Sequence, residues 1–493
     1  MNRHPILNLF RHALTYGFGD IAGRAVAVVL LPIYARQLTD IENGQIAIGF
    51  AVVGFCAVFY SLGLNQALIK YLSGVSGTDV DRSKDRFSSV LWILVLVATA
   101  VSLSAYAWSN PLAAVILGTP ENGDIIRMLG VILFLDTLSE PMFSLCRAQQ
   151  RSGRFAITRL IQHTLQISVI AYLIAVEGWG VRAVFVANIL SSAFALLVML
   201  PVGFSYLRLT IKPSLLRELL TFGIPFVPSA VSLLVISLSD RLLIEHFLGL
   251  GDLGVYSITF KIALPMLVVV RAFRSAWAPG LLSVGDPQQA LHVCARVTTY
   301  FVGAASFVVL FVVAFSRELV TLVAGANAAT YLPGAAIVPI VTFSHFLHGF
   351  YVILTAGVFA EGRSRVLPLV VVTGAVVNVG LNLVFIPKVG YIAAAWSTVA
   401  ANAVMALLLY VNTRRFYPVP FEFGRMAKAA FVALIVGIAL GLDDPTFEGS
   451  LAKGLILLAY PVILSGWNFI EPEEWHHLRH YLRPQSAPDG AGG

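Results

Sequence analysis

Long apolar runs recur along the whole chain and are separated by short polar joints. Each run approaches the about 20 residues that a helix needs to cross a hydrocarbon core about 30 Å thick. The pattern predicts fourteen spanning helices, at 13-36, 45-69, 88-109, 125-146, 155-176, 180-205, 218-246, 252-274, 293-315, 333-359, 366-386, 389-411, 427-442 and 450-468. Turns are expected at Asn43-Gly44, Glu177-Gly178, Gly362 and Pro387. No joint is long enough for a folded soluble domain, so we expect an all-α polytopic membrane protein.

The composition agrees with a bilayer environment. The chain is 58% hydrophobic and 12% charged, whereas soluble domains carry about 25% charged residues. The 33 Lys and Arg outnumber the 26 Asp and Glu, but basic residues of membrane proteins collect in cytoplasmic loops, so we expect no nucleic-acid partner. Widely spaced cysteines and the lack of a Walker A loop predict neither a metal site nor a bound cofactor.

The basic residues also predict the orientation of the chain. If the N-terminus is cytoplasmic, most of the Lys and Arg residues fall at even-numbered joints and in the two tails. The odd-numbered joints then hold only Arg36, Arg182, Arg317, Lys388 and Lys453. This asymmetry predicts a multi-pass protein with cytoplasmic N- and C-termini.

Short motifs repeat at a nearly constant offset. Asn43-Gly44-Gln45 is echoed by Leu253-Gly254-Val255-Tyr256 about 210 residues later, and Gly153-Arg154 by Gly362-Arg363. The offset predicts an N-terminal six-helix lobe (1-207), a cytoplasmic linker (208-217), a C-terminal six-helix lobe (218-411), two additional transmembrane helices (412-468) and a cytoplasmic tail (469-493). Repeated halves in membrane proteins usually indicate transport, with a binding site between them.

Several motifs occur in a fixed order. They are Leu31-Pro32-Ile33-Tyr34, Phe222-Gly223-Ile224-Pro225, Ser239-Asp240-Arg241, Ala360-Glu361-Gly362 and the stretch from Asn382 to Gly390. With them, residues 8 to 411 resemble the polysaccharide transporter (oligosaccharide flippase) branch of the multidrug/oligosaccharidyl-lipid/polysaccharide (MOP) superfamily.

This resemblance implies two six-helix lobes around a central cavity. It further implies a flippase that translocates a lipid-linked oligosaccharide, of the undecaprenyl-pyrophosphate type, across the bacterial cytoplasmic (inner) membrane by alternating access. The oligosaccharide would serve polysaccharide biosynthesis, such as that of lipopolysaccharide or exopolysaccharide. The implied partners are the lipid-linked oligosaccharide, membrane lipids and other polysaccharide assembly proteins.

Three alternatives remain open at this point. The helix count also resembles that of peptidoglycan-precursor flippases in the same superfamily. A cation-coupled multidrug exporter would favour an acidic cavity, but acids and bases are balanced within the spans. A membrane glycosyltransferase or polymerase would need a sizeable acidic outer loop, and the best segment, with Asp443, Asp444 and Glu448, is short.

Charges within the spans are the candidate chemistry, because each costs about 2.5 to 3.5 kcal/mol at the bilayer centre unless it is compensated. They are Asp20, Arg24, Arg127, Asp136, Glu140, Arg159, Asp240, Arg241, Glu245 and Lys261. Each must therefore be paired, hydrated or placed in a cavity.

Three bases are predicted to bind the pyrophosphate and sugar. Lys261 has no acid among its three- and four-residue helix neighbours, so we expect it to face a cavity and donate charge-assisted bonds to phosphate oxygens. Arg24 lies midway along the first span, four residues after Asp20; the two either neutralise each other or bind phosphate together. Arg241, which shares a helix face with Glu245, is expected to assist.

Four acids are predicted to couple transport to a cation, either a proton or sodium. Asp136 and Glu140 lie four residues apart on one face, where their charges repel; the alternative is that each pairs with a base on a neighbouring helix. Asp240 is predicted not to pair with Arg241, because the two point about 100° apart on a helix. Asp20 completes the set.

Overall fold

The computed structural model describes residues 29–61, 63–73, 80–282, 286–361, 363, 366–440, 447–467 and 469. Within these ranges the secondary structure is helical, with no strand. Ten of the described helices are long and apolar enough to cross a membrane, or eleven if one bent pair counts as a single span. The prediction of an all-α polytopic membrane protein is confirmed for this part of the chain.

The helices follow one another with short joints. They are α1 (29–37), α2 (Asp40–Ser61), α3 (Leu64–Leu72), α4 (Val80–Ala107), α5 (Ser109–Ile116), α6 (Gly123–Ala148), α7 (Ser152–Ala175), α8 (Val181–Phe204), α9 (Pro213–Gly223), α10 (Val227–Leu248), α11 (Leu250–Ile262), α12 (Leu264–Leu282), α13 (Pro287–Ala324), α14 (Ala328–Tyr331), α15 (Ile337–Ala360), α16 (Val366–Val389), α17 (Ile392–Thr413), α18 (Phe423–Leu440) and α19 (Phe447–Gly466). Every predicted span from the second onward coincides with one of these helices or with a broken pair.

Three predicted spans are broken. The second divides into α2 and α3 at Gly63, whose φ of 72° suits glycine. The seventh divides into α9 and α10 at a short 3₁₀ turn, Ile224–Phe226, which contains Pro225. The eighth bends by 45° between α11 and α12. These breaks give the bundle places where a helix changes direction.

Two of the predicted turns are wrong. Asn43-Gly44 lies inside the start of α2, because the Asn43 amide donates to the carbonyls of Tyr34 and Thr39 and ties the first turn of α2 to α1. The chain does not turn at Pro387, which lies in the last turn of α16; it turns at Gly390, where φ is 81°. The turn at Gly178 is present, with a φ of 66°.

The first half of the chain has a close-packed core between α3, α4, α6 and α8. Leu68, Phe87, Phe143 and Met199 are almost completely buried in it. Leu219 of α9 joins the same cluster and is also fully buried. Helix α9 therefore packs with the first half of the chain, although it directly precedes the helices of the second half.

The segment that leads into α9 is fastened to α4. Asp85 is buried and pairs with Lys212 and with Arg208, whose Nη1 lies 3.3 Å from Asp85 Oδ1. The backbone N–H groups of Arg208 and Lys212 donate to the hydroxyls of Ser88 and Ser89 at 2.7 and 2.9 Å. The predicted linker is thus an anchored strap in which Arg208 and Lys212 have acidic partners, and α9 already begins at Pro213.

Packing divides the chain into two compact units. The first comprises the described residues up to 282 and 317–417, and the second comprises 286–316 with those after 417. Helix α13 belongs to both and departs from helical geometry at Phe315. Within the second unit, Tyr460 donates to the Gly303 carbonyl at 3.1 Å, and Arg425 caps the end of α19 through the Phe469 carbonyl. The lobe boundaries at 207, 217 and 411 stay predictions.

Candidate functional site

Helix α2 runs along α10 and α11 and forms a seam between the two halves of the chain. At one end of the seam, a Cβ on Gly44 would stand 2.8 Å from the carbonyl carbon of Leu250. A Cβ on Gly254 would stand 2.7 Å from the carbonyl carbon of Asp40. Residues 40 and 44 correspond to 250 and 254 at the repeat offset seen in the sequence, so the two close contacts are reciprocal. We call this end of the seam the 40/250 end.

Close backbone contacts continue along α2 and beyond its other end. A Cβ on Gly63 would stand 2.6 Å from the carbonyl carbon of Gly223, and between the two ends Gly54 lies against Leu238. Because α2 has 22 residues at about 1.5 Å each, the glycine contacts are separated by roughly 30 Å. Helix α2 therefore contacts α11 at Gly44 and α10 at Gly54, and beyond its end Gly63 contacts α9, which packs with the first half of the chain.

A second set of contacts closes the 40/250 end. Arg36 donates from Nε to the Val323 carbonyl at 3.1 Å and from Nη2 to the Leu322 carbonyl at 2.6 Å. Asn327 returns bonds from its Nδ2 to the carbonyls of Ala35 and Arg36, both at 3.1 Å. Arg36 thereby caps the C-terminal end of α13, where a cation is favoured by the helix dipole.

Asn43 joins the two halves of the chain from inside this contact. Its side chain is 2% exposed and donates to the hydroxyl oxygen of Tyr331 at 3.0 Å. The same amide donates to the carbonyls of Tyr34 and Thr39. The sequence pattern assigned Asn43 to a turn and to a repeated motif and missed this role.

Lys261 lies in the last turn of α11, immediately before the 45° bend into α12. Its ammonium nitrogen is 5.3 Å from the centre of the Tyr34 ring, which comes from the other side of the seam. The side chain is half-buried, and no described residue forms an ion pair with it. Lys261 is therefore a cation in the seam that contacts an aromatic ring and has no acidic partner within the described ranges.

Arg241, unlike Lys261, has an acidic partner. Its Nη1 lies 3.1 Å from Asp240 Oδ1, and the Cζ atom is 5.1 Å from the centre of the Phe260 ring. Asp240 is 2% exposed and also accepts a hydrogen bond from the Tyr256 hydroxyl.

The expectation that Asp240 cannot pair with Arg241 is wrong. The 100° separation describes where the two side chains leave the helix, whereas the guanidinium of Arg241 folds back on its long stem, bonding to the Ser237 carbonyl as well. The Asp240 carboxylate therefore has two partners, the guanidinium of Arg241 on its own helix and the hydroxyl of Tyr256 on α11.

Asp136 and Glu140 have different surroundings. Glu140 pairs with Arg159 of α7, and Arg147 Nη2 lies 3.6 Å from its other oxygen. Asp136 instead accepts a bond from the Ser192 hydroxyl at 2.7 Å. Both acids line a cavity of about 70 Å³ with Tyr60. Glu140 therefore pairs with a base on a neighbouring helix, as the alternative predicted, whereas the partner of Asp136 is a neutral hydroxyl.

Two predicted site residues, Asp20 and Arg24, lie outside the described residues. Their pairing with each other and the phosphate-binding role of Arg24 stay predictions. The same holds for the central cavity between the lobes.

A polar network in the second half was missed from the sequence. Ser239 donates to Asn378 Oδ1 at 3.2 Å, and Asn382 donates to the same oxygen at 3.2 Å. Asn378 in turn donates to the Thr398 hydroxyl at 3.4 Å. The available signal was the spacing of Asn378 and Asn382, which are four apart in an apolar helix. Within the described ranges, no group of three or more His, Cys, Asp or Glu side chains is placed to hold a metal ion.

The fold is shared with solved membrane transporters. The structure of the lipid II flippase MurJ in its inward closed conformation aligns over 92% of this chain and 98% of that chain, with a TM-score of 0.73 and 14% sequence identity. At this identity the likeness concerns the fold.

Two curated proteins are related in sequence. The succinoglycan biosynthesis transport protein ExoT of Rhizobium meliloti is 25% identical over 284 residues, which cover 57% of this chain and 56% of that protein. The probable low-salt glycan biosynthesis flippase Agl15 of Haloferax volcanii is 21% identical over 469 residues, which cover 93% and 95%.

A family model described as polysaccharide biosynthesis protein matches residues 33–333. The match begins just before Tyr34 and ends just after Tyr331, so it includes α2, the seam, Lys261 and the 40/250 end. It covers more than half of the chain, and the protein therefore belongs to the polysaccharide biosynthesis protein family.

Proposed function

We propose that this protein is a flippase that translocates a lipid-linked oligosaccharide of the undecaprenyl-pyrophosphate type across the bacterial cytoplasmic membrane. Family membership and the names of two relatives support transport in glycan biosynthesis. The observation that carries the proposal is Lys261, a cation without an acidic partner among the described residues, placed where α11 breaks at the seam. A cation held in this way is available to an anionic ligand.

Lys261 would bind the pyrophosphate. Its ammonium group has three donors, and bonds from a cation to phosphate oxygens are about twice as strong as neutral ones. Arg241 would assist with the N–H groups that Asp240 and Ser237 leave unused. Arg24 is proposed to complete the phosphate site from the first helix, with Asp20 holding it.

Alternating access would open one end of the seam at a time. The glycine contacts at Gly44 and Gly254 would separate to open the 40/250 end. From the distribution of basic residues we propose that the 40/250 end faces outward and that both termini are cytoplasmic. The sugar would cross between the lobes while the lipid tail stays in the bilayer.

A cation gradient is the proposed driving force, with a proton or sodium as the coupling ion. Asp136 is the leading coupling residue, because it borders a small cavity and has a hydroxyl rather than a base as its partner. Glu140 is held by Arg159 and Arg147, and Asp240 by Arg241, so these acids would exchange a cation only if their ion pairs open.

The peptidoglycan-precursor flippase is the second candidate function. The likeness to the fold of a lipid II flippase favours it, and a pyrophosphate site at Lys261 suits either substrate. A multidrug exporter is less well supported, because Lys261 and Arg241 would repel a cationic drug. A glycosyltransferase or polymerase would transfer sugar when purified alone.

Reconstitution tests the proposal directly. Purified protein would be placed in liposomes with a fluorescent undecaprenyl-pyrophosphate oligosaccharide, and a membrane-impermeant quencher would report the fraction exposed on the outside. We expect protein-dependent exchange between leaflets. Lipid II in parallel liposomes distinguishes the second candidate, and exchange of neither lipid would contradict both.

A further inference from the structure

A polar cavity of about 220 Å³ lies at the 40/250 end of the seam. It is lined by Gln37, Leu38, Thr39, Asp40, Asn327, Thr330 and Tyr331. The volume corresponds to about seven water molecules at roughly 30 Å³ each, which is enough for a ligand the size of one sugar ring. The cavity is distinct from the surroundings of Lys261 and from the cavity beside Asp136.

The chemistry of the lining indicates a neutral, polyhydroxylated ligand. Two amides, two threonine hydroxyls, a phenol and one carboxylate border the cavity, and Leu38 is the single aliphatic side chain among them. Such groups can both donate to and accept from sugar hydroxyls. A phosphate is disfavoured, because no lining residue is a cation and Asp40 is an anion.

Some of these polar groups are free to bind. Gln37 and Thr330 are exposed, and their side chains make no hydrogen bond with any described residue. The amide nitrogen of Asn327 is occupied by the carbonyls of Ala35 and Arg36, which leaves its oxygen to accept. Asp40 uses Oδ1 to accept from the Ile41 N–H at 3.0 Å, which leaves its second oxygen.

The cavity has walls from both halves of the chain. Gln37 to Asp40 run from the last residue of α1 to the first residue of α2, whereas Asn327 to Tyr331 follow α13. The bonds that hold these walls together are those of Arg36, Asn327 and Asn43 described above. The cavity can exist only while the 40/250 end is closed, so a ligand inside it would favour the closed state.

We propose that this cavity is a saccharide subsite, separate from the pyrophosphate site, that binds one sugar ring and stabilises closure of the 40/250 end. Only the role of the cavity in transport rests on the proposed function. In that role the cavity would bind a sugar ring of the glycan on the side of the membrane to which the flippase delivers it. Binding itself is independent of that function.

Binding is tested by saturation-transfer difference NMR on the full-length protein in lipid nanodiscs. The probes are the methyl glycosides of glucose, galactose, mannose and rhamnose, each alone. The test variant is Gln37→Leu/Thr330→Val, and the single variant Thr330→Val serves if the double variant unfolds. Thr373→Val is the control, because it makes the same chemical change on α16, which does not line the cavity.

We expect transfer to at least one glycoside with the wild type and with Thr373→Val. Loss of two hydrogen bonds should weaken binding by about tenfold in the double variant. No transfer to any glycoside, or equal transfer with the cavity variants, would overturn the proposal. Binding without lipid exchange in liposomes would refute the flippase function alone, and exchange without binding would refute the subsite alone.

Discussion

Gly44 lies against the backbone of Leu250 so closely that a methyl group on the glycine would collide with the Leu250 carbonyl. The reciprocal contact joins Gly254 to Asp40. In both pairs the obstructing atoms belong to backbone, which cannot rotate away as a side chain could. The helices can approach this closely at the 40/250 end only because residues 44 and 254 are glycines without side chains.

Gly44→Ala should loosen the 40/250 end. Overpacking of this kind costs about 1–3 kcal/mol, and we expect a lower melting temperature in detergent together with faster hydrogen–deuterium exchange in α2 and α11. Gly380→Ala is the control, since nothing lies within 4 Å of a Cβ at that position. An unchanged melting temperature in Gly44→Ala would show that the seam is not tight there.

Arg36→Ala should release the end of α13 from the α1–α2 turn. The variant leaves the Leu322 and Val323 carbonyls without their guanidinium donor, so exchange should rise in residues 318–331 and stay constant in α16. Arg317→Ala is the control, because Arg317 is exposed on the same helix. If residues 318–331 exchange hydrogen equally fast in both variants, Arg36 does not hold the end of α13.

Asp85→Ala should detach the strap that leads into α9. The loss removes hydrogen bonds to charged groups that contribute about 1.5–3 kcal/mol each, and thermal unfolding should occur at lower temperature. Asp81 also pairs with Arg208 but is 75% exposed, and such surface pairs contribute about 0–1 kcal/mol. Asp81→Ala should therefore change the unfolding temperature little. A larger fall in the unfolding temperature for Asp81→Ala than for Asp85→Ala would show that Asp85 is not the main anchor of the strap.

Asp136→Asn should uncouple transport from its driving ion. An asparagine can still accept the Ser192 bond but cannot bind or release a proton in the physiological range. We expect lipid exchange to continue while its acceleration by an imposed proton or sodium gradient is lost. Glu121→Gln, an exposed position between α5 and α6, should keep the gradient response. A normal response in Asp136→Asn would exclude this residue from coupling.

The helices were largely predictable because apolar length decides whether a segment can span a bilayer. From the second span onward, each predicted helix is present. The break at Gly63 was not predicted, because the apolar run continues across it and hydropathy carries no information on direction. Bends in the seventh and eighth spans were indicated by Pro225, Pro228 and Pro265. At Pro387 the sequence misled, since a proline near the end of a helix does not have to terminate it.

The site was predictable only in part. The lack of an acid near Lys261 along its helix was visible in the sequence, and the structure leaves it without an ion pair among the described residues. The partners of Glu140 and Asp136 required tertiary contacts with α7 and α8. Asp240 was misjudged because a helical wheel ignores the reach of an arginine side chain. The 40/250 end is formed by residues almost 300 positions apart, such as Asn43 and Tyr331, and no local pattern indicates it.

The central claim is that Lys261 binds the pyrophosphate of a lipid-linked oligosaccharide, and lipid exchange by Lys261→Ala in liposomes tests it most directly. Loss of a charge-assisted contact should slow exchange by about tenfold or more, while Lys261→Arg retains much of the rate. Lys388→Ala, at an exposed position, should exchange lipid like the wild type. Wild-type rates in a folded Lys261→Ala variant would contradict the account.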